Sequence, residues 1–130
     1  MKENELSYAI RGAIFKVYNY FGPGLLESVY QKALFRELQK QGFQVKKEVP
    51  IPVHYEDEIL EEEGFRIDIL VEDLVLIELK SVEELSKLHH KQTITYLKLT
   101  NLKLGILVNF NTEDISKSTF RKVNRFTQEE

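Results

Sequence analysis

Three ionisable side chains in the middle of the chain have the types and spacing of a metal-dependent hydrolytic site. Asp68 is followed ten residues later by Glu78-Leu79-Lys80, and both stretches are otherwise rich in apolar residues. Burying a carboxylate costs several kcal/mol unless the group is paired or binds a cation. Two carboxylates supply oxygen ligands that suit Mg²⁺, and a nearby ammonium can orient a water molecule or stabilise negative charge on a phosphate.

A short buried strand places these groups on one side of the predicted sheet. The run Leu74–Lys80 is apolar on both faces until its end, which is typical of a strand covered on both sides. Because side chains alternate along a strand, Glu78 and Lys80 share a face. If the preceding run, Phe65–Val71, pairs with it as an antiparallel hairpin, Asp68 lies on the same face. An ion pair between Lys80 and either acid is the alternative interpretation of these residues.

Polar residues on two predicted helices extend this candidate site. Glu27 falls in the first turn of the second helix, where the helix dipole alone could account for an acid. Gln92 and Tyr96 are four residues apart on the third helix, so their polar groups can meet on one face. They fit equally well as a buried glutamine with partners and a tyrosine at the rim of the core. His89 and His90 are adjacent and point in different directions, so neither is assigned to a metal.

The elements that position these residues are predicted from periodicity and from chain-breaking residues. The first half of the chain predicts a helix over 6–21, a break at Gly22-Pro23-Gly24, a helix over 26–38 closed by Gly42, and a strand over Phe43–Val53. Pro50 and Pro52 lack backbone donors, which predicts a sheet edge. Residues 54–63 are polar and predict a turn or a hairpin tip.

The second half of the chain predicts the remaining sheet and one more helix. It predicts strands over Phe65–Val71 and Leu74–Lys80, a helix over Leu85–Leu99, a strand over Leu104–Phe110 and a final strand or helix over Ser116–Phe126. The inward stripe of the third helix is predicted as Leu85, Leu88, Gln92, Tyr96 and Leu99. This order of elements predicts one α/β domain over residues 1–130, with a mixed central β-sheet flanked by α-helices.

Composition and charge limit the class of protein. The chain has 130 residues and no cysteine, which excludes disulfides, thiolate metal sites and a cysteine nucleophile. It has no apolar run long enough to span a bilayer and no signal-peptide pattern at its start, so we expect a cytoplasmic protein without membrane contact. The net charge is −3, but residues 54–84 hold twelve acids against Arg66 and Lys80, and residues 85–126 hold eight Lys or Arg against Glu113 and Asp114. This separation could place a metal site beside a phosphate-binding rim, or it could be solvated surface charge.

Four stretches of the sequence, in this order, resemble the motifs of a known superfamily. They are Gly24-Leu25-Leu26-Glu27-Ser28-Val29-Tyr30, Asp68 with Glu78-Leu79-Lys80, Gln92-Thr93-Ile94-Thr95-Tyr96, and Leu104–Phe110. The first and last resemble the GxxExxY protein family. The second resembles the core of the PD-(D/E)XK nuclease superfamily, to which that family is assigned, with Ile67 in place of the proline. The third resembles the QxxxY element of exonuclease-like branches of the superfamily.

The resemblance implies a restriction-endonuclease-like core and Mg²⁺ or Mn²⁺ as the cofactor. The metal ligands that it implies are Asp68, Glu78, the Leu79 carbonyl and Glu27. The catalytic residues that it implies are Lys80, Glu78, Asp68, Gln92 and Tyr96, the last two in accessory roles.

We therefore expect a nuclease that hydrolyses phosphodiester bonds in nucleic acid, with DNA favoured over RNA. Basic residues of the C-terminal third would hold the nucleic-acid backbone weakly and without reading bases. These residues are Lys87, Lys91, Lys98, Arg121, Lys122 and Arg125. One alternative is a catalytically silent nuclease fold that acts through a protein partner or as a homo-oligomer. The other is a structural ion pair at Lys80 in an unrelated α/β fold.

Overall fold

The computed structural model describes residues 3–125, which form three α-helices and five β-strands. The helices are α1 (Glu3–Phe21), α2 (Glu27–Lys40) and α3 (Lys87–Thr100). The strands are β1 (Val45–Tyr55), β2 (Glu58–Val71), β3 (Val75–Lys80), β4 (Leu104–Asn109) and β5 (Thr119–Val123). The predicted last element is a 3₁₀ turn, Ile115–Ser118, followed by β5, and Phe126 lies outside the described residues.

The strands form one mixed sheet in the order β1-β2-β3-β4-β5. Strands β3 and β4 are parallel and are joined through α3, whereas the other neighbouring pairs are antiparallel. The parallel register places Lys80 opposite Asn109 at the ends of the two central strands. Strand β1 is an edge strand, which confirms the prediction from Pro50 and Pro52.

Helices α1 and α2 cover one face of the sheet and supply most of the core. Apolar residues at helical spacing bury one side of α1, namely Leu6, Ile10, Ala13, Ile14 and Val17. Helix α2 adds Tyr30, Leu34 and Leu38 to the same cluster. Helix α3 covers the other face through a smaller cluster with Leu97 at its centre. Within residues 3–125, no helix combines the length and the apolar character that a bilayer span requires.

The polar run 54–63 is mostly strand rather than turn, so the prediction for this segment is wrong in extent. Strands β1 and β2 continue as a two-stranded ribbon to Tyr55 and from Glu58, and only Glu56 and Asp57 form the turn. Residues 54–64 are all exposed. Because neither face of this ribbon is buried, its sequence needs no alternation of apolar and polar residues, and the usual strand pattern is missing.

The predicted inward stripe of α3 is wrong by about one residue. Leu88 is 72% exposed and Leu99 is 44% exposed, whereas Thr93 and Leu97 are buried. The helix also begins later than predicted, because Ser86 is its N-cap, with a reciprocal hydrogen bond to the side chain of His89. Which side of α3 faces inward is decided by the apolar residues it meets on the sheet. The apolar pattern of α3 is short and weakly periodic, so it does not predict which side of the helix is buried.

Candidate active site

Asp68 and Glu78 converge at the point where β2 separates from β3. The pairing between these strands runs only from Val71↔Val75 to Ile69↔Ile77, so Asp68 is the first residue beyond it. The Asp68 side chain takes over the missing ladder position, since Oδ2 accepts a hydrogen bond from the backbone N–H of Leu79 at 2.8 Å. The carboxyl groups of Asp68 and Glu78 lie close enough for each to shift the pKa of the other. The structure thus brings the two acids together, while their roles as site residues stay a prediction.

Glu78 is a buried carboxyl group with an unsatisfied oxygen. The residue is 5% exposed, and its Oε1 is buried with no hydrogen-bond partner among the described residues. Burial, followed by the charge of the neighbouring Asp68, raises the pKa of Glu78 to about 10. Burial likewise raises the pKa of Asp68. Buried polar groups without partners are rare in folded proteins, and a positive charge nearby would stabilise this pair of acids.

The two carboxylates fit a hard divalent cation. Mg²⁺ is usually held by one or two carboxylates, with water and substrate phosphate completing its shell. The orphaned Oε1 of Glu78 and the adjacent Asp68 provide such a pair. Among residues 3–125 no group of three or more His, Asp or Glu side chains is arranged to hold a metal ion. A preformed site that includes Glu27 is therefore not shown.

Lys80 lies beside the carboxylates without pairing with either. It is half-buried at the end of β3, and its positive charge lowers the pKa of Asp68, of Glu78 and of Glu27 in part. The ion pairs among residues 3–125 lie elsewhere, at Lys16–Glu37, Lys46–Asp73 and Glu63–Arg66. The ion pair at Lys80 that the sequence left open is not formed, and the ammonium group keeps its hydrogen-bonding capacity for a ligand.

The segment Gly24–Tyr30 forms the turn and the first part of α2, which together position Glu27 near this site. Tyr30 is fully buried and stacks on Phe110, with 4.4 Å between the ring centroids. Its hydroxyl donates to the Gly22 carbonyl at 2.6 Å and accepts from the Leu25 N–H at 3.1 Å, which pins the turn before α2. Gly24 takes a φ of 106°, a left-handed conformation that favours glycine.

Glu27 stands in the first turn of α2, within electrostatic reach of the two strand residues. Partial desolvation and then the charge of Asp68 raise the pKa of Glu27, while Lys80 opposes this shift. The turn that carries it is tied to the end of β3, because the hydroxyl of Ser81 donates to the Leu25 carbonyl at 2.7 Å. The structure therefore brings Glu27 near the site, as predicted, although its role as a metal ligand stays a prediction.

Tyr96 of α3 lies within electrostatic range of the same acidic pair, whereas among residues 3–125 Gln92 shows no hydrogen bond to it. The Tyr96 ring stacks on Phe65 of β2 with 4.0 Å between centroids. Burial, then the charges of Glu78 and Asp68, raise the pKa of the Tyr96 phenol, so the hydroxyl lies within electrostatic range of the two acids. Gln92 is half-buried one turn earlier on the helix. The catalytic roles of both residues stay predictions.

Sequence reasoning missed two polar residues that hold the site, Gln31 and Glu48. The Gln31 Nε2 donates to Glu48 Oε1 at 3.0 Å and to the Asp68 carbonyl at 2.9 Å. The one signal in the sequence is that Gln31 follows Glu27 by four residues and so shares its helix face. Nothing in the strand pattern of β1 marks Glu48, since it reads as one polar residue among several.

The basic residues of the C-terminal third are divided between the two faces of the sheet. Lys87 and Lys91 are exposed on α3, which covers the face that carries the acids. Lys122 lies over the ring of Phe120, which also contacts His90 of α3. Arg121 points to the other face, where it bonds to Asn4 of α1. The predicted contact of Arg121 with a nucleic-acid backbone stays a prediction.

A model of the PD-(D/E)XK nuclease superfamily matches residues 4–123, nearly the whole chain. No curated protein and no solved structure gives a match. The match confirms the superfamily and the fold class predicted from the sequence, while the narrower resemblance to the GxxExxY family stays a prediction. The mixed sheet, the helices on both faces and the convergence of Asp68, Glu78 and Lys80 agree with it. This chain belongs to the PD-(D/E)XK nuclease superfamily.

Proposed function

We propose that this protein hydrolyses phosphodiester bonds in nucleic acid, with Mg²⁺ or Mn²⁺ as its cofactor. Membership of a nuclease superfamily supports a nuclease-like function. The observation that carries the proposal is the buried Oε1 of Glu78, which has no hydrogen-bond partner within residues 3–125 and lies near a second carboxyl group, that of Asp68. A bound cation satisfies both groups at once, and in its absence one of them must hold a proton.

Each residue of the candidate site has a role that its position supports. Asp68, Glu78 and the carbonyl of Leu79 would hold the cation, with Glu27 as a further acid at the edge of the site. The chemistry that such a cation supplies is Lewis-acid polarisation of a phosphate oxygen. Lys80 orients the attacking water or stabilises the negative charge that develops on the phosphate oxygens, because no carboxylate in the described part of the chain forms an ion pair with it.

The proposed substrate is DNA, bound weakly and through its backbone. The residues proposed to hold phosphates are those of α3 and the chain end beyond it, namely Lys87, Lys91, Lys98, Lys122 and Arg125. Gln92 and Tyr96 would contact the attacking water or the backbone next to the scissile phosphate. A net charge of −3 predicts weak binding. Contacts between Lys or Arg and phosphates predict that this binding weakens further with salt. The cytoplasmic location expected from the sequence is part of this proposal.

Cleavage assays with matched variants test the proposal. Purified protein is incubated with labelled single-stranded DNA, duplex DNA and RNA, in the presence of Mn²⁺ or of a chelator. We expect cleavage of DNA that requires Mn²⁺ and that falls by roughly 10²–10³-fold in Lys80→Ala, since one charge-stabilising group is removed. Lys32→Ala, the same change at an exposed position on α2, serves as the control and keeps wild-type activity. Equal cleavage by the wild type and Lys80→Ala would reveal a contaminating nuclease and refute the proposal.

A second candidate is a silent nuclease fold that binds a protein partner or a second copy of itself. The observation that favours it is the outer part of the β1–β2 ribbon, where Tyr55 is 64% exposed, Ile59 51% and Leu60 59%. Exposed apolar groups on a projecting hairpin are typical of contact surfaces. This candidate predicts no Mn²⁺ binding that depends on Asp68 and Glu78, which calorimetric titration of the wild type and of both alanine variants would establish.

A further inference from the structure

Strand β1 contains one residue in a backbone conformation that strands do not use. Glu48 has a φ of 52°, in the left-handed region, where a side chain with a Cβ is strained. The other non-glycine residues of this kind in 3–125 lie in turns or at a helix end, namely Glu56, Glu72, Asp73 and Asn101. Strain inside a strand persists only where the surrounding structure holds it, and such positions cluster at functional sites.

The strain at Glu48 coincides with a gap in the β1–β2 ladder. Pairing runs from Val45↔Val71 to Lys47↔Ile69 and resumes at Val49↔Ile67, so the position opposite Glu48 is skipped. That position is Asp68. On its other side, Asp68 has also lost its pairing with β3, where its own side chain bonds the N–H of Leu79. Asp68 itself therefore has no partner in either ladder, although Ile67 and Ile69 on its two sides pair with β1.

Gln31 of α2 replaces the missing ladder contact. The Gln31 amide nitrogen donates one hydrogen to the Asp68 carbonyl at 2.9 Å and the other to Glu48 Oε1 at 3.0 Å. Both partners are acceptors, so the two N–H groups of one amide are fully used. Gln31 lies one helical turn after Glu27, on the same face of α2. A single side chain thus connects the helix that carries Glu27 with the strand segment that carries Asp68.

We propose that Gln31 and Glu48 form a clamp that fixes Asp68 against α2, and that they are positioning residues for the cation site rather than ligands of the cation. The inference rests on the proposed function, because the geometry that the clamp holds is that of the Asp68–Glu78 pair. In metal sites, partners that orient the ligands typically contribute 10- to 100-fold to metal affinity. Here the left-handed turn of Glu48 directs its carboxylate to Gln31 instead of leaving it on the open edge of β1.

Two substitutions at Glu48 separate positioning from ligation. Glu48→Gly removes the carboxylate and also the backbone strain, so the clamp is lost while folding stability is unchanged or raised. Glu48→Gln keeps an oxygen that accepts from Gln31 but removes the charge that a ligand needs. Gln31→Met removes the donor from the opposite side. Glu56→Gly is the matched control, because Glu56 has nearly the same φ, 56°, at the distant ribbon turn.

The experiment combines Mn²⁺ titration calorimetry with amide hydrogen exchange in metal-free protein. We expect Glu48→Gly and Gln31→Met to weaken Mn²⁺ binding by about 10- to 100-fold, and Glu48→Gln and Glu56→Gly to stay within roughly threefold of the wild type. The Leu79 amide, which donates to Asp68, should exchange faster in the two clamp variants, with amides of β4 as the internal reference. Thermal unfolding establishes that Glu48→Gly remains folded.

The outcomes distinguish failure of the clamp from failure of the proposed function. If Glu48→Gln loses as much affinity as Glu48→Gly, Glu48 is a ligand and the clamp is overturned. Unchanged exchange of the Leu79 amide in Glu48→Gly and Gln31→Met also overturns it, whether or not metal binds. If the wild type binds no Mn²⁺, the proposed function fails, while the exchange of Leu79 still decides whether Gln31 and Glu48 position Asp68.

Discussion

The two faces of the sheet differ in how much apolar surface they bury. The face under α1 and α2 carries a continuous cluster of eighteen buried side chains, whereas the face under α3 carries a cluster of four. By strand alternation Glu78 and Lys80 lie on the second face, and Asp68 lies where β2 separates from β3. Desolvating carboxylates is unfavourable, so the fold depends on the first face for stability and leaves the second for polar groups. The difference shows how a small domain can hold a buried acidic pair without losing its fold.

The largest effect that we expect comes from a cavity in the larger core cluster, under α1 and α2. Leu34 of α2 and Leu97 of α3 are both fully buried leucines, one on each face. We expect Leu34→Ala to lower the free energy of unfolding by about 3–5 kcal/mol and Leu97→Ala by about 2–3 kcal/mol. The loss at Leu97 is smaller because the smaller cluster under α3 relaxes more readily around a cavity. Urea denaturation of both variants measures the difference, and equal losses would contradict the contrast between the faces.

A smaller effect, of opposite sign, is expected at Glu78. Its pKa is raised from 4.5 to about 10 in the folded protein, so the folded state holds a proton that the unfolded chain releases between these values. Stability from this group is therefore complete below pH 4.5 and is lost progressively as the pH rises towards 10. Glu78→Gln removes this loss, and we expect the metal-free protein to gain about 1–3 kcal/mol at pH 8 but nothing at pH 4.

Thermal unfolding of metal-free Glu78→Gln across this pH range measures the gain. Glu83→Gln, the same change at an exposed position, is the control and should follow the wild type at every pH. The same variant of Glu78 should also lose any stabilisation by added Mn²⁺, because it removes a charged ligand. A Glu78→Gln protein that is less stable than the wild type at pH 8 would show that the buried carboxyl is a structural partner rather than a cation site.

The smallest effect is expected at the stacked pair of Tyr96 and Phe65, on the face under α3. Tyr96→Leu removes the stacking on Phe65, which we expect to cost about 0.5–1.5 kcal/mol. Tyr96→Phe keeps the stacking and removes only the hydroxyl, so stability should change by less than about 0.5 kcal/mol. If Tyr96→Phe nevertheless lowers Mn²⁺-dependent cleavage several-fold, the hydroxyl takes part in the reaction. Equal cleavage by Tyr96→Phe and the wild type would limit Tyr96 to packing.

The sequence was sufficient where periodicity is local and strong. The apolar stripe of α1 and the doubly buried β3 follow from side-chain spacing alone, and alternation along β3 placed Glu78 and Lys80 on one face. The position of Asp68 near Glu78 was also predicted, because a short turn between β2 and β3 favours an antiparallel hairpin. The motif resemblance then predicted the superfamily, which the match over residues 4–123 confirms. A single domain over 1–130 stays a prediction.

Only the tertiary structure decided which face of α3 is buried, how far the β1–β2 ribbon extends, and that Gln31 bonds both Glu48 and the Asp68 carbonyl. Each of these depends on contacts between residues far apart in the chain, and a polar residue on a strand or helix gives no sign of a distant partner. The convergence of Asp68, Glu78 and Lys80 could be predicted from short-range patterns, because strand alternation is a local property of the backbone. The contacts that surround Asp68 could not be predicted in this way, because the skipped ladder position and the strained φ of Glu48 arise only when α2, β1 and β2 meet.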